Sequence, residues 1–146
     1  MKLIIQAKIQ IQKPIATVFE NIVSPDHMRQ YFIDSSTGRM ESEASLIWTF
    51  PEFDQECPLI VTEVIPNNKI VFDWDPETLV TIQLTEQADK STLVHVTEDG
   101  KENDEKGVQW YGGNTEGWAN FLACLKAYSE YGINLRKGAF EFLRRH

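Results

Sequence analysis

Glu98 is the polar residue of this sequence with the most specific claim to chemistry. It ends the run Thr92-Leu-Val-His-Val-Thr-Glu98, in which Thr92, Val94, Val96 and Glu98 share one side of an extended chain. If Val94 and Val96 face a core, Glu98 faces it too, at the mouth of whatever the strand encloses. A carboxyl group there serves as acid, base or hydrogen-bond anchor. The alternative is a solvated strand end beside Asp99, since glutamate is rarely buried without partners. Glu63 carries the same ambiguity with a less defined face.

Other chemical signatures are sparse. The sequence has no G-x-S-x-G, Walker loop, Rossmann glycine set, H-E-x-x-H or Cys-x-x-Cys. His27, His95 and His146 lie far apart and lack metal-ligand spacing. The acidic stretch Glu98-Asp-Gly-Lys-Glu-Asn-Asp-Glu105 does not place its oxygens in the register of a calcium loop and reads as a solvated loop. Of the two cysteines, Cys124 sits in the apolar segment Phe121-Leu-Ala-Cys-Leu125, where a buried thiol is ordinary, and Cys57 lies in a polar loop. No metal or other cofactor is expected.

The aromatic residues are more informative. Trp48, Phe50, Phe72 and Trp74 alternate on strand-like segments, and Phe19, Tyr31, Phe32, Trp110, Tyr111, Trp118 and Phe121 fall on helical ones. Core packing accounts for many of them. Trp74, Trp110 and Tyr111 are the best candidates for a pocket wall, because each joins a flat apolar face to a polar edge that can orient a ligand. Asn114 lies one helical turn from both Trp110 and Trp118 if the helix there is continuous.

The elements that must position these residues follow from periodicity. Residues 2–12 alternate as a half-buried strand. Pro14 ends it, and Ile15, Val18, Phe19 and Ile22 then form one face of a short helix. Ser24-Pro25-Asp26 starts a second short helix, predicted to reach Tyr31 or Phe32. Strands are predicted over 36–42, 44–50, 58–65, 69–75, 78–86 and 91–98, with short turns that make an antiparallel meander. A charged loop from Gly100 to Asp104 leads into a helix from about 104 to Tyr131, along which Trp118, Phe121, Leu122, Leu125 and Tyr128 recur at helical spacing. Gly112-Gly113 should weaken or kink this helix, or Asn114 or Thr115 should cap a fresh start after them. Gly132 should stop it.

The 146 residues, 42% hydrophobic and 25% charged, amount to one domain with no internal repeat. No apolar run is long enough for a membrane helix, and the polar-interrupted N-terminus does not read as a signal peptide. The net charge of −8 argues against nucleic acid as a partner. That charge is uneven. Residues 1–131 carry 10 basic and 21 acidic residues, whereas 132–146 carry Arg136, Lys137, Arg144 and Arg145 against Glu141. The order strand, two short helices, six strands, long helix makes an α+β domain in which the last helix covers one face of the sheet.

Three segments resemble one family. Pro14-Ile-Ala-Thr-Val-Phe19 with Pro25 to Phe32 resembles the entry of START-like (SRPBCC, helix-grip) domains. Glu63-Val-Ile-Pro-Asn-Asn-Lys-Ile-Val-Phe-Asp-Trp74 resembles a characteristic strand pair, and Glu116-Gly-Trp-Ala-Asn-Phe-Leu-Ala-Cys-Leu125 the final helix. All three are similar to the branch of heat-shock ATPase activator homologues, over about residues 5–131. The Gly112-Gly113 pair and the tail depart from the pattern. The resemblance implies the helix-grip fold for residues 1–131; residues 132–146 lie beyond the family pattern and read, from their own residues, as a basic amphipathic extension of the same domain. It also implies a hydrophobic cavity between sheet and long helix.

The expected function is non-enzymatic binding of a small, largely apolar molecule, lipid or polyketide-like, at Trp74, Glu98, Trp110, Tyr111, Asn114 and Trp118. Two alternatives stand beside it. One is a chaperone-accessory or stress-response module partnering a heat-shock ATPase. The other is a cyclase- or hydrolase-like enzyme using Glu98. A cytoplasmic monomer or homodimer is expected. The tail is expected to dock on the acidic body or on a second copy, with a membrane-surface role as the alternative.

Overall fold

The alternating N-terminal segment forms β1 (Lys2–Ile11), with Ile5 and Ile11 turned fully inward. The computed structural model describes residues 1–144, so Arg145 and His146 of the basic tail lie outside the described residues. Pro14 introduces α1 (Ile15–Val23), which buries Val18, Phe19, Ile22 and Val23. The second helix, α2, is only Pro25–Met28. The expected continuation to Tyr31 or Phe32 is a turn, in which the amide of Ile33 reaches back to the carbonyl of Met28 at 3.1 Å and Ile33 becomes buried.

A meander follows: β2 (Ser35–Ser36), β3 (Ser45–Thr49), β4 (Cys57–Ile65), β5 (Lys69–Asp73), β6 (Leu79–Glu86) and β7 (Thr92–Glu102). The seven strands form one antiparallel sheet in the order β1-β7-β6-β5-β4-β3-β2. Two strands depart from expectation. Of the predicted strand 36–42 only Ser36 pairs, together with Ser35 before it, because the chain turns at Gly38 and the buried Met40 bonds to the carbonyl of Val23 instead. The predicted loop at 100–104 is strand to Glu102, where Lys2 of β1 supplies a partner that periodicity does not reveal.

The long helix, α3 (Glu105–Tyr131), runs unbroken through Gly112 and Gly113. Two glycines cost a helix roughly 2 kcal/mol against alanine. Burial of Trp118, Phe121, Leu122 and Leu125 at about 1.5–3 kcal/mol each outweighs that. Asp104 caps the start, accepting the Gly107 amide at 2.8 Å, and Gly132 ends the helix at φ 66°. The fresh start at Asn114 or Thr115 does not form. The Asn114 amide turns to the sheet, and the Thr115 hydroxyl bonds back to the Tyr111 carbonyl.

Helix α3 packs chiefly along β1 on the inner face of the sheet. Lys126 donates to the Gln10 carbonyl and Glu130 accepts the Gln12 amide, each at 2.8 Å. These bonds fix the C-terminal half of the helix, and the apolar inner rows of β4 to β7 lie beneath it.

Candidate functional site

Register places Glu98 in the inner row of the sheet. It stands opposite Ile5 of β1 and Val80 of β6, both fully buried, and is itself 0% exposed. The solvated reading of this strand end is thereby corrected. β7 does not end at Glu98 but pairs on both sides beyond it, so the residue keeps its inward face.

A buried carboxylate needs donors, and four converge here. Oε1 accepts from the Trp118 indole at 2.9 Å and the Asn114 amide at 3.1 Å. Oε2 accepts from the Trp74 indole at 2.9 Å and the Thr78 hydroxyl at 2.8 Å. Desolvating a carboxylate costs several kcal/mol, and hydrogen bonds to a charged acceptor return roughly 1.5–3 kcal/mol each. The group therefore joins three elements: β7, α3 and the β5–β6 turn.

Gly100 makes the turn's approach feasible. Its φ is 133°, and a Cβ there would lie 1.9 Å from the carbonyl oxygen of Glu77, next to Thr78. Only glycine lets the turn settle close enough to bring Thr78 onto Glu98. Lys101 holds the same turn from outside, 3.1 Å from Asp75 and 3.6 Å from Glu77.

Held by Glu98, the indoles of Trp74 and Trp118 stack with centroids 5.2 Å apart, 30° from parallel. They form one wall of a cavity of about 370 Å³. Phe32, Phe50 and Phe121 form another, with Phe32 edge-on to Phe50 at 5.4 Å and to Phe121 at 4.8 Å. Tyr31 reaches the cavity because its hydroxyl is tied to the Asn21 carbonyl at 2.8 Å. Burial pushes its phenol well above the ordinary range, so it stays protonated. Cys124 also lines the space, and burial raises its thiol above the usual value, which disfavours a nucleophilic thiolate. Asn114 and Asn120 add polar edges on α3.

The sequence candidates thus divide into two groups. Trp74, Glu98, Asn114 and Trp118 come together, three on the cavity wall and Glu98 behind them. Trp110 and Tyr111 lie outside the wall. Trp110 packs half-buried against the core, with the Lys101 ammonium 5.8 Å above its ring, and Tyr111 is 39% exposed. Among the described residues no three His, Cys, Asp or Glu side chains cluster as metal ligands.

Residues that sequence reasoning missed complete the site. Thr78 and Gly100 carried no signal beyond turn chemistry. Gly117, on the lining, stands out in the sequence only as part of a helix motif. The tail supplies Arg136, Phe140 and Leu143, folded back over the cavity. Arg136 pairs with Glu52, whose side chain is 5% exposed, so the tail docks on the chain's own acidic body. The alternation of apolar and basic residues after Gly132 was the signal available. No described helix is long and apolar enough to cross a membrane.

Comparison with known proteins agrees with this architecture. Residues 12–130 match the family described as Activator of Hsp90 ATPase homolog 1-like protein. The chain is similar to protein SSP2350 of Staphylococcus saprophyticus, at 34% identity over 92% of this chain and 96% of that one, with TM-score 0.82. It shares its fold with DynU16 of the dynemicin biosynthetic locus, at 24% identity over 89% of this chain and 48% of that one, TM-score 0.79. It also shares it with the Aha1 dimer of Colwellia psychrerythraea, at 19% identity over 89% and 98%, TM-score 0.76. No curated protein matches. With the family match spanning most of the chain and the sheet gripping its last helix, the protein belongs to the Activator of Hsp90 ATPase homolog 1-like family of START-like, helix-grip domains.

Proposed function

We propose that this protein is a binding module that takes a small, largely apolar molecule into the cavity between sheet and α3 and does no chemistry on it. The observation that carries this reading is the aromatic wall of the 370 Å³ space, with its two indoles held in place from behind by Glu98. Cavities of roughly 300–1,000 Å³ with apolar linings and a few polar edges suit small ligands. The enzymatic alternative loses its best residue. Both oxygens of Glu98 already accept two donors each, and Glu98 is not on the cavity wall. Residues 1–131 make the binding unit in this reading and the tail closes it. Free, partly or fully buried cysteines are in keeping with a cytoplasmic setting.

Family membership favours a second reading, a chaperone-accessory or stress-response module. It involves surfaces rather than the cavity, so the two readings separate experimentally: recovery of a heat-shock ATPase by the purified protein supports the second.

The binding reading is tested with the neutral fluorophore N-phenyl-1-naphthylamine. Saturable binding near one probe per chain is expected. Gly117→Phe should abolish it, since Gly117 is on the lining and a Cβ there meets no atom within 4 Å, leaving room for a ring to fill the space. No saturable binding to the wild-type protein, or undiminished binding to a folded Gly117→Phe variant, overturns the reading.

A further inference from the structure

We propose that the ligand is an amphipathic anion: its apolar body lies in the aromatic cavity, and its carboxylate or phosphate head is received by a basic site that the C-terminal tail builds beside it. This rests on the binding reading above and extends it to a ligand class.

A second cavity, of about 240 Å³, adjoins the first. Tyr31, Phe32 and Arg136 line both and form the partition between them. The second cavity has a different character. Arg29, Arg136, Lys137 and Arg144 line it against Glu52 and Glu141. Glu52 is taken by Arg136 and Glu141 by Arg144. Among the described residues no carboxylate pairs with Arg29 or Lys137, so two positive charges stand unneutralised on a chain whose net charge is −8. A local positive site on an acidic protein selects anions by charge and repels them elsewhere.

Arg136 links the two cavities. Its guanidinium carbon lies over the ring of Phe140, at 4.7 Å, and over that of Phe50, at 5.7 Å, so both rings help to hold it. One terminal nitrogen serves Glu52, while the buried Nε has no hydrogen-bond partner. A buried donor without an acceptor is a cost that a ligand oxygen would remove. Guanidinium forks suit carboxylate and phosphate oxygens. An anion with an apolar body satisfies both halves at once, the body against the indoles and the head at Arg136, Arg29 and Lys137. Arg136 and Lys137 follow the residues that match the family, so this head-group site belongs to the tail rather than to the shared unit.

The test compares decanoate, decyl phosphate and 1-decanol, matched at ten carbons, as displacers of N-phenyl-1-naphthylamine at low salt. The readout is the ratio of affinities within each protein variant. In the wild type the anions should be favoured over 1-decanol by roughly tenfold or more, with the preference shrinking as salt rises. Decanoate against decyl phosphate then reads which head the site prefers. Arg29→Gln/Lys137→Gln alters only exposed side chains and should reduce the preference several-fold. Arg136→Gln/Glu52→Gln removes the buried pair together and should do the same. Equal affinity for 1-decanol and both anions in the wild type overturns the proposal while leaving the cavity reading intact, as does a preference that survives both double variants. Absence of fluorophore binding overturns both.

Discussion

Glu98→Gln exchanges one oxygen for an NH₂ group and tests the centre of the site. Four donors point at the carboxylate, two at each oxygen. A glutamine keeps one acceptor oxygen and sets two N–H groups where the other stood. If the NH₂ faces Thr78 and Trp74, the Thr78 hydroxyl rotates to accept, but the Trp74 indole can only donate. If it faces Asn114 and Trp118, Asn114 can present its own oxygen, but the Trp118 indole cannot. Either way one buried indole N–H loses its acceptor, at about 1–3 kcal/mol. The two surviving bonds weaken by about 1 kcal/mol each as the acceptor loses its charge, and easier burial of the neutral amide offsets part of the sum.

The expected net loss from Glu98→Gln is about 2 kcal/mol, or roughly 4–8 °C in Tm for a chain of this size. Urea denaturation followed by far-UV circular dichroism measures it. The near-UV spectrum should change at the same time, because the Trp74–Trp118 stack loses one of its tethers. A folded variant within about 0.5 kcal/mol of the wild type, with an unchanged near-UV spectrum, refutes the assignment of Glu98 as the anchor of the wall.

Two further predictions concern the helix that covers the sheet. A Cβ at Gly113 meets no atom within 4 Å, so Gly113→Ala should raise stability by about 0.5–1 kcal/mol in the same denaturation assay, and a loss would show that the glycine is needed for packing. Burial opposes ionisation of Glu130, but the Gln12 amide and the Lys126 ammonium outweigh it and hold the carboxyl below the usual glutamate value. A depressed folded value stabilises the protein above the unfolded value, about 4.3, and that contribution is lost as pH falls through the folded one. Stability of Glu130→Gln should therefore fall less steeply on acidification below about pH 4.5 than that of the wild type; parallel profiles would contradict the assignment.

The element order was legible in the sequence because each element carries its own period. Residues 2–11, the β4–β7 strands and the stripe from Trp118 to Leu125 all repeat at the spacing their structure requires. Failures fell where a distant partner decides. Residues 100–102 became strand because β1 was available to pair with them, and Gly112-Gly113 stayed helical because residues further along α3 are buried.

The same division holds for the site. Sequence alone determined that Glu98 shares a face with Val94 and Val96, that Trp74 and Trp118 stand on elements able to meet, and that the tail is basic on an acidic body. Only the tertiary structure decided that Glu98 is buried and saturated with donors, that Thr78 is one of them, and that Trp110 and Tyr111 lie outside the wall. It also decided that Arg136 joins the cavity. The reason is that alternation and helical period act between residues a few positions apart, whereas these contacts join residues from 16 to 84 positions apart. Such pairings depend on sheet register, the path of α3 and the return of the tail, none of which has a period to read.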